Sequence, residues 1–400
     1  MATPAQRPNT WILDEWYDQA VAGTQGEYTG VGSIWGCGYT VKGRGGWNNP
    51  SNLRYSSPTQ LPGNWVTVTS AGQNASLGIK GDGTLWGWGA PDDHNPLGLN
   101  SETKRSSPTQ IGTGSDWAYV TSGTGQNSTV MAVKTDNTLW MWGSNEYGLL
   151  GFNQPTSSHR SSPTQLPGTT WSTNPQHLSI FMNAQAIKTD GTMWAWGNAG
   201  GTPTPASPGY ASMSSPCQIG TETTWDKIGK VYSNFCGIKT DGTLWTSGFN
   251  QYGELGQSDF TQYSSSRQVG TETTWKHVAF GDNWGSGVKT DGTMWVWGKS
   301  GAGQLGLNDR WSEVPECLNS PTQLGTDTNW SDVISSQTTL VAVKTDASLW
   351  MIGYGPFGAF GNNQNATSYY SSPVQVPGTW NITTNRSAKG DNFSWFPKYA

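Results

Sequence analysis

A ten-residue phrase, Lys289-Thr290-Asp291-Gly292-Thr293-Met294-Trp295-Val296-Trp297-Gly298, recurs along this chain. Variants occupy residues 80–89, 134–143, 188–197, 239–248 and 344–353, and a truncated copy, Gly32-Ser33-Ile34-Trp35-Gly36-Cys37-Gly38, opens the series. The first tryptophans of these seven copies (Trp35, Trp86, Trp140, Trp194, Trp245, Trp295 and Trp350) stand 51, 54, 54, 51, 50 and 55 residues apart. Self-similarity at this period marks a repeat architecture, in which one unit cannot bury its apolar face alone.

Each phrase reads as a β-hairpin. Val133-Lys134 or Ile187-Lys188 ends one strand. Asp-Gly supplies a tight turn, with Asp136-Asn137 and Asp346-Ala347 in two copies, because glycine tolerates the positive φ such turns need. The return strand carries tryptophans two residues apart, as in Trp86 and Trp88, and alternation puts them on one face. Two further phrases keep step. Ser-Ser-Pro-x-Gln appears around Pro58, Pro108, Pro163, Pro216, Pro321 and Pro373, with Ser266 at that position in one copy. Proline suits an edge strand, where its missing N–H costs nothing. The other phrase starts at Trp65, Trp117, Trp171, Trp225, Trp275, Trp330 and Trp380 and usually reaches an aliphatic residue three later. Four short antiparallel strands per period, repeated radially, describe a β-propeller blade. The expectation is an all-β, seven-bladed propeller.

The phase of the repeat predicts its closure. The chain enters at a third strand, residues 34–38, and leaves through Trp380-Asn381-Ile382 and Asn392-Phe393-Ser394-Trp395-Phe396, which align with first and second strands. Six blades are then contiguous. The seventh takes its inner two strands from the C-terminal end and its outer two from residues 32–61. That division gives an extension, residues 1–30, and a propeller domain, residues 31–400. In the extension, Ile12, Leu13, Trp16, Tyr17, Ala20 and Val21 recur at helical spacing over residues 10–22. A short amphipathic helix is expected there, with Trp11, Ile12, Trp16 and Tyr17 as residues that pack on the ring or dock on a partner.

Repeat phase accounts for 18 of the 24 tryptophans, so these are read as packing residues. Charged residues are 12% of the chain and net charge is −5. The basic footprint of a nucleic-acid binder is missing. No membrane-spanning apolar run and no signal peptide is visible. Cys37, Cys217, Cys236 and Cys317 fall at unrelated repeat positions without a Cys-x-x-Cys pair, and are read as free, mostly buried thiols. What varies between copies is the connection from the Trp-Gly strand to the Ser-Ser-Pro strand: residues 39–55, 90–105, 144–160, 198–213, 249–263, 299–319 and 354–370. In like blades these loops open on one end of the ring, and binding usually resides on loops held by a rigid scaffold. Their aromatics Trp47, Tyr147, Tyr210, Trp311 and Tyr369 are the candidate binding residues.

The loops begin with Asn145-Glu146-Tyr147-Gly148-Leu149-Leu150-Gly151, Asn250-Gln251-Tyr252-Gly253-Glu254-Leu255-Gly256 and Gly301-Ala302-Gly303-Gln304-Leu305-Gly306. Together with Leu-Trp-x-Trp-Gly, they resemble the regulator of chromosome condensation repeat over residues 31–396. The resemblance implies a seven-bladed propeller whose last blade is shared by the two chain ends. Family members include a nucleotide exchange factor for a small GTPase, a plant ultraviolet receptor, a secreted β-lactamase inhibitor and bacterial and phage proteins. The Lys-Thr-Asp-Gly-Thr-Leu-Trp wording looks like the prokaryotic and phage branch. The opening Asn9-Thr10-Trp11, Tyr17-Asp18-Gln19 and Gly23 is similar to the start of bacteriophage repeat proteins.

Catalytic chemistry finds no foothold in the pattern. Asp82, Asp190, Asp241 and Asp291 recur at hairpin turns and are read as turn formers, and the lysines before them as solvated strand ends. His94, His159, His177 and His277 share no metal-ligand spacing. No serine elbow or phosphate-binding loop appears, and no metal or cofactor is expected. The leading expectation is a non-enzymatic interaction propeller in a bacteriophage virion, as a tail-associated, fibre or decoration protein engaged in assembly or host attachment. Its partners would be other virion or cell-surface proteins, and an oligomer is compatible with it. Otherwise its place is cytoplasmic or extracellular. The alternatives are a carbohydrate-binding propeller, whose exposed aromatics stack on glycans, a secreted-type protein inhibitor, or, less favoured, a guanine nucleotide exchange factor.

Overall fold

The computed structural model describes residues 33–49, 53–91, 94–123, 128–198, 212–229, 234–308, 317–364, 368–380, 388–390 and 393–398. The expected helix at 10–22, and Tyr210 and Trp311, lie outside them. The described residues form seven antiparallel sheets of four strands. From inner to outer strand, the first blade is Trp65–Ala71, Ala75–Lys80, Leu85–Gly89 and Arg105–Gln110, and the second is Trp117–Ser122, Thr129–Lys134, Leu139–Gly143 and Arg160–Leu166. The third is Leu178–Ile180, Asn183–Ile187, Met193–Gly197 and Met213–Gln218; the fourth is Trp225–Ile228, Phe235–Lys239, Leu244–Gly248 and Tyr263–Gln268. The fifth is Trp275–Phe280, Trp284–Lys289, Met294–Lys299 and Cys317–Gln323; the sixth is Trp330–Ser335, Thr339–Lys344, Leu349–Gly355 and Ser368–Val376.

The seventh blade is composite, as the repeat phase predicts. Its inner strands, Ala388–Gly390 and Phe393–Lys398, precede Ser33–Tyr39 and Arg54–Leu61 in the sheet. Ile34 pairs with Pro397 and Trp35 with Phe396, so the two ends of the chain join in one ladder. Closure removes the open edge that a six-and-a-half-blade array would present.

Seven apolar clusters are found among the described residues, and each straddles one seam between blades. Leu139 and Met141 of the second blade, for example, pack with Ala186 and Trp196 of the third. Ile34, Phe393 and Trp395 of the composite blade pack with Trp65 and Trp88 of the first. A single large ring thus fills the wedge between two diverging sheets. Edge-on tryptophan pairs such as Trp171 with Trp196, at 6.0 Å, add about 0.5–1.5 kcal/mol each beyond the area they bury.

Two expectations need correction. The phrase beginning at a tryptophan does not always begin a strand. Trp171 makes only an isolated bridge to Lys188, and the inner strand of its blade starts at Leu178. In the composite blade the inner strand is Ala388–Gly390, well past Trp380. What these tryptophans share is a hydrogen bond across the seam. Trp171 N donates to Asn137 O at 3.1 Å and Trp380 N to Ala347 O at 2.6 Å, the hairpin turn of the preceding blade.

The lysines are not solvated strand ends either. Lys289 Nζ lies 5.0 Å from the Trp275 ring centroid and 3.5 Å from that of Trp295. The same sandwich recurs at Lys80, Lys134, Lys188, Lys239 and Lys344. One ring comes from the tryptophan that begins the period, at the start of the inner strand in every case but Trp171, and the other from the start of the third strand. A lysine at the end of the second strand falls between them, where a cation is attracted to both π faces.

Candidate functional site

The ring has two ends of different chemistry. At one end lie the hairpin turns. Asp190 Oδ1 accepts from Thr192 N at 3.0 Å and from Thr192 Oγ1 at 2.7 Å, and that hydroxyl oxygen accepts from Trp194 Nε1 at 2.9 Å. The hydroxyl and N–H of Thr192 hold the Asp190 carboxyl below the usual carboxylate range, because both bonds favour the charged form. The relay repeats at Asp82, Asp136, Asp241, Asp291 and Asp346. These carboxylates are engaged as turn formers, as expected.

At the other end, six loops that follow a third strand, among the described residues, reach across the seam to the outer strand of the next blade. Asn100 N donates to Ser161 O at 3.0 Å, Asn153 N to Ser214 O at 2.6 Å and Asn308 N to Ser371 O at 2.7 Å. Asn363 N to Ser56 O and Asn48 N to Ser106 O, both 2.9 Å, tie the composite blade to its neighbours. The backbones approach closely enough that a Cβ on Gly148 would lie 2.7 Å from Ser214 Cα. The second tryptophan of a blade reaches back to the same loops: Trp88 Nε1 donates to Arg44 O at 2.9 Å and Trp196 Nε1 to Leu149 O at 2.8 Å. In the composite blade Cys37, which replaces that tryptophan, donates from Sγ to Ala359 O at 3.4 Å. The departure from the repeat therefore keeps the seam bond.

These loops also carry the exposed apolar side chains. Among the described residues the exposed large hydrophobics are Leu53, Tyr147, Phe260 and Tyr369. Leu53, Tyr147 and Phe260 belong to the loops at this end, and Tyr369 lies at the start of the outer strand that follows one of them. Tyr147 holds φ at +59° inside the Glu146–Gly148 turn. A left-handed backbone costs a non-glycine residue about 1–2 kcal/mol, and it projects the phenol from the rim, 38% exposed. Tyr369 is 55% exposed and leans on Tyr354 at 4.8 Å. Trp47 does not belong with them. Its Nε1 donates to Gln60 O at 2.8 Å and its ring packs on Tyr55, Phe393 and Trp395, so it pins its own loop. Leu53 and Phe260 were legible only as apolar residues inside polar loops, the same signal that marks Tyr147.

The axis of the ring is partly filled. Leu178 comes seven residues after Trp171, against three from Trp117 to the equivalent Val120. The extra residues form the Pro175–His177 turn, capped by Asn174 Oδ1, which accepts from Gln176 N at 3.0 Å. Gln176 Nε2 lies 3.2 Å from His277 Nδ1 of the fifth blade. A cavity of about 80 Å³ remains, lined by Thr67, Tyr119, Thr121, Gln176, Lys227 and His277 among others. Burial pushes His277 down to about 3, with Lys227 and Lys276 acting the same way and Asp226 against. Asp332 Oδ1 stands 3.6 Å from Nδ1, beyond hydrogen-bond reach, so the neutral imidazole forms no ion pair there. Burial likewise raises Tyr119 to about 12.

Metal-binding geometry is not found: no group of three His, Cys, Asp or Glu side chains able to hold an ion occurs among the described residues. His94 and His159 stack on each other at 4.3 Å across one seam, and His177 and His277 lie near the axis. The four cysteines are free thiols, Cys37 and Cys236 buried and Cys217 and Cys317 half-buried. No helix among the described residues is long and apolar enough to cross a membrane.

This geometry, an end-shared blade and a glycine-rich loop stitched to the next sheet, is matched by a known repeat. The family model of the regulator of chromosome condensation (RCC1) repeat matches residues 291–343. Residues 291–343 carry the RCC1 repeat. The human probable E3 ubiquitin-protein ligase HERC6 is 25% identical over 232 residues, 56% of this chain. The matched region is 22% of that protein's length. Among solved structures, human WBSCR16 superposes with a TM-score of 0.75 at 15% identity, over 92% of this chain and 99% of that one. Prp20p of Saccharomyces cerevisiae, described with its binding properties to Gsp1p and histones, gives 0.76 at 17% identity over 93% and 92%. At these identities the likeness to the solved structures is one of fold, the seven-bladed ring.

Proposed function

We propose that this RCC1-repeat ring is a non-enzymatic binding propeller that engages a protein partner through its loop end. The observation that carries the reading is the confinement of Leu53, Tyr147, Phe260 and Tyr369, the exposed large hydrophobics among the described residues, to one end of the ring, three in its loops and Tyr369 at the start of an outer strand. Exposed apolar groups on a rigid, seam-stitched frame lose little conformational freedom on binding, which favours recognition. Aromatic side chains are also the commonest anchors of protein interfaces. We place the chain in a bacteriophage virion, as a tail-associated, fibre or decoration protein. That placement rests on the prokaryotic and phage wording of its repeat and on the phage-like opening at Asn9-Thr10-Trp11.

The test is mass spectrometry of purified virions carrying wild-type chain or a Tyr147→Ala, Tyr369→Ala double variant. Wild-type chain in the particle, and its loss with the double variant despite unchanged tryptophan emission, is the expected result. Virions without the chain overturn the placement; equal incorporation of both forms overturns the rim. A second reading, stacking on a sugar, is favoured by the leaning pair Tyr354 and Tyr369. A glycan array empty at high protein concentration removes it.

A further inference from the structure

The axis of the ring gathers polar side chains that the turns, seams and rim do not use. On four inner strands a register break follows the first tryptophan: between Trp65 and Thr67, Trp117 and Tyr119, Trp225 and Lys227, and Trp275 and His277. In these blades the residue just past the break lines the axial cavity of about 80 Å³. In the third blade the Pro175–His177 turn supplies Gln176. The sixth blade has Asp332 past its break, but Val333 and Ile334 line the cavity there, and Asp332 Oδ1 accepts from Val333 N at 2.8 Å. Among the described residues that line the cavity, Lys227 is the charged one.

The lining is rich in donors. The Gln176 amide nitrogen can only donate, so His277 Nδ1 accepts at 3.2 Å and the neutral ring carries its proton on Nε2. That N–H has no acceptor among the described residues; Asp332 Oδ1 approaches the ring at Nδ1, 3.6 Å away, and not at Nε2. Thr67 is 2% exposed, and its hydroxyl has no partner among the described residues. Such a group costs stability unless something in the cavity meets it. Lys227 Nζ stands 3.1 Å from Asp226 Oδ2, and an ammonium with three N–H groups keeps two for other acceptors. At His277 the two cations Lys227 and Lys276 outweigh Asp226.

We propose that the axial cavity binds a small oxyanion, a free carboxylate or inorganic phosphate, between Lys227, His277 and Thr67. These residues come from the fourth, fifth and first blades and present N–H and O–H groups to one space, and no carboxylate lines it among the described residues. Ionised oxygens form the strongest bonds with such donors, whereas a cation there would meet Lys227. A cavity of about 10–15 Å³ already holds one water, so this one admits several waters or an anion of about four or five non-hydrogen atoms. The site is separate from Tyr147 and Tyr369 and goes beyond the reading of the rim, so either can fail without the other.

The test is nuclear magnetic resonance of the full chain with isotope-labelled histidine. The chain has four histidines, and the signal missing from His277→Gln is that of His277. Sodium acetate and sodium phosphate are titrated separately, each replacing sodium chloride at fixed pH and ionic strength. A saturable shift of the His277 signal is expected with at least one of them; acetate alone marks a planar carboxylate site and phosphate alone a tetrahedral one. Lys227→Met should weaken it at least about tenfold and Thr67→Val about threefold, the loss of a charged and of a neutral hydrogen bond. Lys104→Met, which removes an exposed cation at the loop end, and the rim variants Tyr147→Ala and Tyr369→Ala should leave it unchanged. No saturable shift with either anion means that the cavity holds only solvent, and overturns the proposal. A shift that survives undiminished in Lys227→Met overturns it too.

Discussion

Glu254 and Gln304 occupy the same repeat position in consecutive loops, and their difference yields a sharp prediction. Gln304 is fully engaged: Oε1 accepts from Ala302 N at 2.6 Å and Nε2 donates to Lys299 O at 2.8 Å, five residues back. Glu254 makes the first bond, with Oε2 accepting from Tyr252 N at 2.7 Å, but its Oε1 is buried and has no partner. The equivalent carbonyl, Phe249 O, accepts from Asn234 Nδ2 at 3.0 Å and has a second lone pair. Burial pushes the Glu254 carboxyl up, its bonds to backbone N–H groups oppose this, and Asp282 adds to the rise. Lys299, close to Asp282 and stacked on Tyr252 at 4.5 Å, is the nearby cation. Glu254→Gln restores the missing donor. A buried hydrogen bond contributes about 0.5–1.5 kcal/mol and an unsatisfied buried group costs about 1–3 kcal/mol. The variant should therefore be about 2 kcal/mol more stable at pH 7. The sign of the pH dependence follows from the raised carboxyl. The folded wild type holds the proton more tightly than the unfolded chain, so the contribution of Glu254 is fully present below the unfolded value, about 4.3, and is lost as pH rises through the folded value. The advantage of the variant should be small in acid and grow across that window to a plateau. Urea unfolding of both proteins from acid to neutral pH measures the gap. A constant gap, or a less stable variant, would refute the reasoning.

The seams and turns allow further tests. Ala347 holds φ at +63° where four of the six turns have glycine, so Ala347→Gly should stabilise by about 0.5–1 kcal/mol in thermal melts, the relief of a left-handed alanine less the entropy of glycine. Thr243→Val removes the hydroxyl that receives Trp245 Nε1 and donates to Asp241, and should cost about 1–3 kcal/mol in urea unfolding. Lys289, 4% exposed between Trp275 and Trp295 and paired with Glu272 at 2.5 Å, is a different case. Lys289→Met keeps the apolar stem and removes the cation, so tryptophan emission should shift, with a loss of about 1–2 kcal/mol from the two desolvated π contacts.

The legible part of this ring is the part built by local pattern. Alternation puts Trp86 and Trp88 on one face, and Trp65 touches both, at 6.4 and 5.2 Å. Repeat phase alone leads to the ladder between Trp35 and Phe396. What escaped the reading depends on residues far apart in the chain. A lysine after an aliphatic residue reads as a solvated end until two rings from other strands enclose it, as Trp171 and Trp194 enclose Lys188 at 4.9 and 3.9 Å. Trp47 reads as a loop aromatic until Phe393 and Trp395, more than three hundred residues on, close over it. The tryptophan that begins each period reads as a strand start, yet the role shared by six of the seven is to donate its N–H to the previous turn. The strand can therefore be delayed, as after Trp171, without losing the seam. Bonds between blades thus persist where the start of a strand shifts. Cys37 supports the point: a thiol with none of tryptophan's bulk still supplies the donor to Ala359 O. At the same position Ser247 Oγ of the fourth blade is buried without a partner among the described residues, and Ile352 of the sixth offers no donor but packs with Leu305 and Leu324, so there the seam rests on packing.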